Sequence, residues 1–330
     1  MGRSPRKLCR ANAFAMLAMA SFAISAAEPP AVPPPTRPPE ALSPVVVEAR
    51  EPRFVAPTRR DKVGRIWAPV LINGLGPFRL VLDTGASGSA VNASVAQILG
   101  LKPDASQKVL LRGVTGIVAV PTIHVDSFVV GDVIVTPATL PIVSDALGGA
   151  DGVLGTEGFA DKRLYIDFRH DLITITYSRG AHAQPDFVTV PFELSSTGLL
   201  VIRARVGGVR VNAIIDTGGQ ATIGNEAMRQ ALIRRHIQGT HNQVIDVTTT
   251  SQDAESFPSP PIELGSIQVQ GARITYGDMH IFQHWHLIRE PALLIGMDTL
   301  GLLDVFIIDY RRHELQLQLR TRTPGEASRG

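Results

Sequence analysis

The sequence predicts an all-β fold of two lobes related by an internal pseudo-two-fold duplication, and three observations lead there. From about residue 61 the apolar residues fall into short runs bounded by glycine turns, as in Phe78-Arg79-Leu80-Val81-Leu82 and Arg210-Val211-Asn212-Ala213-Ile214-Ile215. That is the pattern of strands. Helical patterning is confined to residues 94–99, ahead of Gly100, and residues 226–235, each following an asparagine that ends a loop (Asn92, Asn225). A set of landmarks then recurs in the same order in the two halves of the chain.

The N-terminus is of a different kind. Arg3, Arg6, Lys7 and Arg10 precede an apolar run over residues 13–24, and the small residues Ser25-Ala26-Ala27 follow it. A basic start, a short apolar stretch and a small-residue cleavage site make residues 1–27 an expected export signal of bacterial style. The run is shorter than the ~20 residues that span a bilayer, so cleavage is expected in place of a retained anchor. The mature protein would then be periplasmic or secreted. Its removal changes the formal charge from +2 to −2, leaving no basic footprint for nucleic acid or for an anionic membrane. Cys9, the only cysteine, leaves with the signal. Disulfides, thiol catalysis and cysteine-held metal are thereby excluded from the mature chain.

Residues 28–60 are rich in proline, as in Pro33-Pro34-Pro35, and are expected to form an extended tether. Arg50, Arg53, Arg59, Arg60, Lys62 and Arg65 support a second reading, a pro-segment that lays cations across an acidic cleft. Residues 61–179 make up the expected first lobe, residues 180–320 the second, and residues 321–330 a flexible tail. With 44% apolar and 19% charged residues, the chain can bury a sizeable core.

The landmarks lie within the lobes. Asn73-Gly74 and Gly207-Gly208 come first, followed by Leu80-Val81-Leu82-Asp83-Thr84-Gly85 and Ala213-Ile214-Ile215-Asp216-Thr217-Gly218. Asn92 and Asn225 then stand at the same interval beyond the two aspartates. Gly152-Val153-Leu154-Gly155-Thr156 matches Leu293-Leu294-Ile295-Gly296-Met297, and both halves close on like segments, Leu164-Tyr165-Ile166-Asp167 and Phe306-Ile307-Ile308-Asp309.

An Asp-Thr-Gly after two or three buried β-type residues puts a carboxylate at a strand end on a tight turn, where glycine permits close backbone approach. One such tripeptide is ordinary turn chemistry. Two copies in matched halves are different, because a two-fold arrangement brings Asp83 and Asp216 to one place. The threonine hydroxyls can then bond across to the neighbouring copy and hold the two turns in register.

The run Val81-Leu82-Asp83-Thr84-Gly85-Ala86-Ser87, the glycine-bearing Arg112-Gly113-Val114-Thr115-Gly116 some thirty residues later and the apolar pair before Gly155 resemble the retropepsin and pepsin group of aspartic peptidases. The resemblance covers roughly residues 65–319 and looks like the single-chain arrangement of retropepsin-style lobes found in bacterial exported aspartyl proteases. It implies a bilobal pepsin-like/retropepsin-like acid protease fold and an endopeptidase in which Asp83 and Asp216 share one proton and hold the lytic water. Thr84 and Thr217 would supply interlocking hydrogen bonds, with Gly85 and Gly218 permitting the turns. Gly155 and Gly296 would pack behind the aspartate loops, and Gly113, Val114, Thr115 and Gly116 would form the tip of a mobile hairpin over the substrate. An extended peptide or protein segment would lie beneath that hairpin as an added strand. No metal or cofactor is required, and a self-contained dyad needs only a monomer. Two carboxylates about 3 Å apart do not both ionise cheaply, an effect for which aspartic proteases are the standard illustration.

Departures from the pattern carry their own expectations. Pepsins carry a serine or threonine after Asp-Thr-Gly, where this chain has Ala86 and Gly219. Losing hydrogen bonds to the charged form raises its pKa, so a less acidic working range than pepsin's is expected. Ser87 faces Gln220 at the next position, and the second lobe has the polar Thr248-Thr249-Thr250-Ser251 in place of a glycine-rich hairpin. A single covering hairpin is therefore expected. The same divergence allows a non-catalytic peptide-binding module that keeps the fold, and a third arrangement would pair two chains through one lobe each.

His280, His284 and His286 cluster around Trp285, but no carboxylate is spaced to complete a zinc site, and a surface or interface loop is expected. Asp167 and Asp309 recur at matched positions and are expected to make a repeated structural hydrogen bond. Neither a nucleophile-elbow, a Walker motif nor a dinucleotide fingerprint is present.

Overall fold

A computed structural model of the chain describes residues 45–48, 65–130, 133–135, 138–144, 148–170, 172–232, 240–245, 251–277 and 279–319, all within one compact unit, Ser43–Gly330. The expected export signal, most of the 28–60 segment, the 321–330 tail and Thr248-Thr249-Thr250 lie outside the described residues.

Two copies of one strand order build the molecule. In the first lobe, hydrogen-bonded neighbours run Trp67–Ile72, Leu75–Leu82, Gly152–Leu154, Ala90–Asn92, Ala138–Val143, Ile117–Val125 and Asp104–Arg112. In the second they run Leu200–Val206, Val209–Ile215, Ala292–Ile295, Ile223–Gly224, Arg273–Tyr276, Ser251–Pro258 and Thr240–Ile245. The succession of parallel and antiparallel contacts is the same in both. The fold is therefore the all-β, bilobal, duplicated one that the repeated landmarks predict.

The lobes join through a shared antiparallel sheet. Lys162–Asp167 of the first lobe pairs with Leu303–Asp309 of the second, with Leu172–Tyr177 on one side and Glu314–Leu319 and Val188–Leu194 on the other. Leu303–Asp309 is buried along its whole length, so its side chains do not alternate as they do in Leu200–Val206. Both of its faces are covered. Asp309 is fully buried there. It accepts from Ser178 Oγ at 2.8 Å, from the Arg312 amide at 3.0 Å and from Arg163 at 3.3 Å. Asp167 makes the matching turn contacts with the amides of Arg169 and His170, both at 3.0 Å.

Both helices start at their asparagines, as Ala93–Ile98 and Glu226–Leu232. Asn92 Oδ1 accepts from the Val95 amide and Asn225 Oδ1 from the Met228 amide, which satisfies a donor that the first helical turn leaves open.

Three expectations need correction. Val45–Glu48, inside the expected tether, pairs with Leu172–Tyr177 at the end of the shared sheet; a run of β-branched valines meets an open edge. The second lobe does carry a hairpin, Thr240–Ile245 against Ser251–Pro258, in the place that Asp104–Arg112 and Ile117–Val125 occupy in the first. Backbone pairing builds such a ribbon without glycine at its tip, so composition hid it. His280–His284 is a short helix and not a loop, because Ile281 and Phe282 give it a face to bury. Among the described residues no group of histidines and acids is placed to hold a metal ion, and no helix is long and apolar enough to cross a membrane.

Replacing Asp309 by alanine strips Arg163 of a carboxylate partner and leaves the buried Ser178 hydroxyl without its acceptor. The expected cost is roughly 2–4 kcal/mol of unfolding free energy, read from denaturant titration. A loss under about 0.5 kcal/mol, the range of ordinary surface changes, would refute this account of the shared sheet.

Candidate active site

The parallel strand pairs determine where the two aspartates emerge. Leu82 lies beside Leu154, and Ile215 beside Ile295. The next amide in each lobe continues the ladder, Asp83 N donating to Leu154 O at 2.9 Å and Asp216 N to Ile295 O at 3.0 Å. Each carboxyl thus leaves its sheet at the same point of the repeat. The structure brings the two together, hydrogen-bonded to one another.

Glycine is required around this pair because of the opposite lobe's acid. A Cβ on Gly85 would lie 2.9 Å from Asp216 Cγ, and one on Gly218 would overlap the Asp83 carboxyl. The loops are clasped by threonines with no exposed surface. Thr84 N donates to Thr217 Oγ1 and Thr217 N to Thr84 Oγ1, both at 3.1 Å. Each hydroxyl then donates across the lobes at 2.7 Å, Thr84 to Ile215 O and Thr217 to Leu82 O.

Gly155 and Gly296 lie against the loops from behind. A Cβ on Gly155 would come 2.7 Å from Gly88 O, and one on Gly296 would come 2.6 Å from Ala221 O. Two residues beyond each glycine stands an acid that sequence reading left without a role at the site. Glu157 Oε1 accepts from the Ser89 amide at 2.7 Å and Asp298 Oδ2 from the Thr222 amide at 2.9 Å. Burial raises the pKa of both. Their equal offset from Gly155 and Gly296 was the signal that could have found Glu157.

The two central carboxyls are electrostatically unequal. Burial pushes both above the ordinary carboxylate range. The charge of Asp216 raises Asp83 further, whereas the Gly85 amide, at 2.8 Å, and to a smaller extent the Arg65 charge, which acts on both acids, favour its ionised form. Asp216 is pulled back down by its bond from Asp83 and by the amides of Gly219 and Gly218, both 2.9 Å from Oδ1. The pair shares one proton and titrates as a unit, and two inward amides on Asp216 against one on Asp83 favour the charge on Asp216. Gly219, which lacks the hydroxyl that pepsins have, supplies a backbone donor to the ionised partner.

A cavity of about 320 Å³ opens over the pair. Gly113 and Val114 of the hairpin tip line it, whereas Thr115, which is buried, and Gly116 do not. The tip closes on itself through Gly113 N to Gly116 O at 2.9 Å and reaches the second lobe, Val114 O accepting from Ile281 N at 3.2 Å. Arg65, Arg112, Val244 and Trp285 complete parts of the wall. The histidines stand on the same side. His284 is held below the usual imidazole range by desolvation, then by the charges of Arg112, His280 and His286.

Replacing Thr84 by alanine leaves the buried Thr217 amide and Ile215 carbonyl unpaired, at an expected cost of about 2–4 kcal/mol in denaturant unfolding. Thr84→Ser keeps the hydroxyl and should retain most of that stability. Equal stability of the two variants would show that the clasp is idle.

Comparison with known families adds one finding that agrees with this geometry. A family model described as aspartyl protease matches residues 68–157 and 202–299, one segment in each lobe and together more than half of the chain. A comparison with curated proteins finds no match. With two matched segments, each containing one of the paired aspartates, the chain belongs to the aspartyl protease family.

Proposed function

We propose that the protein is an aspartic endopeptidase that hydrolyses peptide bonds with a water held between Asp83 and Asp216. The single observation that carries this reading is the hydrogen-bonded contact of two buried, unequal carboxyls under a hairpin tip. The ionised Asp216 takes a proton from the water as its oxygen bonds to the scissile carbonyl carbon, while Asp83 gives its proton to the carbonyl oxygen. The tetrahedral diol then collapses. The carbon–nitrogen bond breaks, Asp216 returns its proton to the leaving amine, and a hydroxyl of the diol restores the proton of Asp83. The amides of Gly218 and Gly219 are fixed donors to the carboxylate that starts and ends each cycle charged.

The substrate is an extended peptide held largely through its main chain beneath the hairpin. The export pattern of residues 1–27 supports action in the periplasm or outside the cell. A monomer suffices, since both acids come from one chain. The competing reading, a non-catalytic peptide-binding protein, keeps the cleft and omits the chemistry.

Asp83→Asn and Asp216→Asn separate the two. Each should lower cleavage of unstructured peptides by roughly 10²–10⁴-fold while unfolding stays cooperative. Cleavage persisting in either variant would exclude the dyad, and a wild type inert from about pH 3 to 8 would favour the binding protein.

Two pH dependences follow from the raised carboxyls. Cleavage needs one proton on the pair, so activity should fall as pH rises through the upper apparent pKa of the dyad; a maximum near pH 2, about the lower pepsin value, would contradict the reading. For stability, a folded-state pKa above the unfolded one means that the folded protein holds the Asp83 proton more tightly. That contribution is complete below about pH 4 and is lost as pH climbs through the folded value. Asp83→Asn, neutral throughout, should gain stability relative to wild type between acid and neutral pH, as thermal unfolding across pH will report.

A further inference from the structure

The repeat allows the two walls of the cleft to be compared position by position. At three fixed offsets the first lobe has Val81, Ala90 and Val153 where the second has Ile214, Ile223 and Leu294. All six are buried, and all but Ile214 line the cavity. At every one of these positions the second lobe carries the larger side chain. Three positions run the other way: Ala86 against Gly219, Leu111 against Val244 and, in strand register, Val143 against Gly277. The space Gly277 leaves is filled from elsewhere, since a Cβ there would lie 2.8 Å from Met279 Cε.

The connection that follows increases the difference. Residues 144–151 lead to the glycine strand Gly152–Leu154, whereas residues 277–291, nearly twice as many, lead to its counterpart Ala292–Ile295. The longer connection contains the helix His280–His284. Its Ile281, together with Trp285 just beyond it, adds to the cavity wall, and Trp285 is braced edge-on by Phe282 at 6.2 Å. Val114 of the hairpin tip packs into the same cluster. No apolar side chain of this size lines the first-lobe side, where the wall is built from valines, alanines and Leu111 together with the cationic Arg65 and Arg112.

We propose that the cleft is asymmetric in size. A large apolar side chain, aromatic or long aliphatic, is taken against Val81, Ala90 and Val153, and a small one is required on the other side of the scissile bond. The specificity-determining residues of that narrow side are Ile223, Leu294, Ile281 and Trp285. This rests on the reading above only in that an extended peptide crosses the two aspartates.

The test uses four reduced-bond peptides of one sequence, with –CH2–NH– in place of the scissile amide and Phe/Ala, Ala/Phe, Phe/Phe or Ala/Ala at the flanking positions. Binding is measured by calorimetry on the purified protein. One mixed order should bind about tenfold or more tighter than the reversed order and than Phe/Phe. The double variant Ile281→Ala, Trp285→Ala should recover about tenfold for Phe/Phe, and Ala90→Ile should abolish the gain from Phe on the roomy side; Ala90→Val serves in the same direction if the isoleucine does not fold. Equal affinity of the two mixed orders, tightest binding of Phe/Phe by wild type, or no binding by any of the four overturns the inference. Digestion of the parent amide peptides is a separate arm. Selective binding without hydrolysis keeps the asymmetric cleft and rejects the peptidase.

Discussion

Thr84 and Thr217 each give a hydroxyl proton to a backbone carbonyl of the other lobe and each receive an amide proton in return, wholly out of water. Four mutually dependent bonds in a dry interior define one relative placement of the two loops, since sliding either by a fraction of an ångström would leave buried groups unpaired. The carboxyls of Asp83 and Asp216 meet because of that clasp and not through attraction of their own. Two buried acids would otherwise separate toward water. The clasp depends in turn on the parallel strand pairs that deliver both loops at the same height, and on the shared sheet that carries the load between lobes.

The contact is symmetric in its scaffold and asymmetric in its charge. Both acids suffer the same loss of hydration, but one backbone amide serves Asp83 and two serve Asp216. A single additional fixed dipole is enough to decide where a shared proton rests when the alternatives are otherwise near-degenerate. In the proposed reaction this difference would divide the pair into proton donor and proton acceptor.

Divergence between the copies is concentrated where the scaffold permits it. Strand order, turn-capping asparagines and the acids at Glu157 and Asp298 are kept in both lobes, because each satisfies backbone groups that have no other partner. Cleft-facing side chains answer to no such demand, and the connection at residues 277–291 differs in length from its counterpart although Asn225 holds it at Leu287 O and Glu290 O. The side chains differ freely, and with that connection they give the two sides of the cleft unequal room.

The sequence by itself determined the duplication, the strand-rich class, the two Asp-Thr-Gly turns and the first-lobe hairpin, because these are written in short intervals and local periodicity. The second hairpin, the helix at His280–His284, the strand Val45–Glu48 and the place of Glu157 beneath its loop were decided by tertiary structure alone. Backbone pairing is blind to side-chain composition, and a buried face exists only once there is something to bury it against. The inequality of the two aspartates belongs there too. It comes from how many amides each loop turns inward, which identical Asp-Thr-Gly tripeptides cannot record.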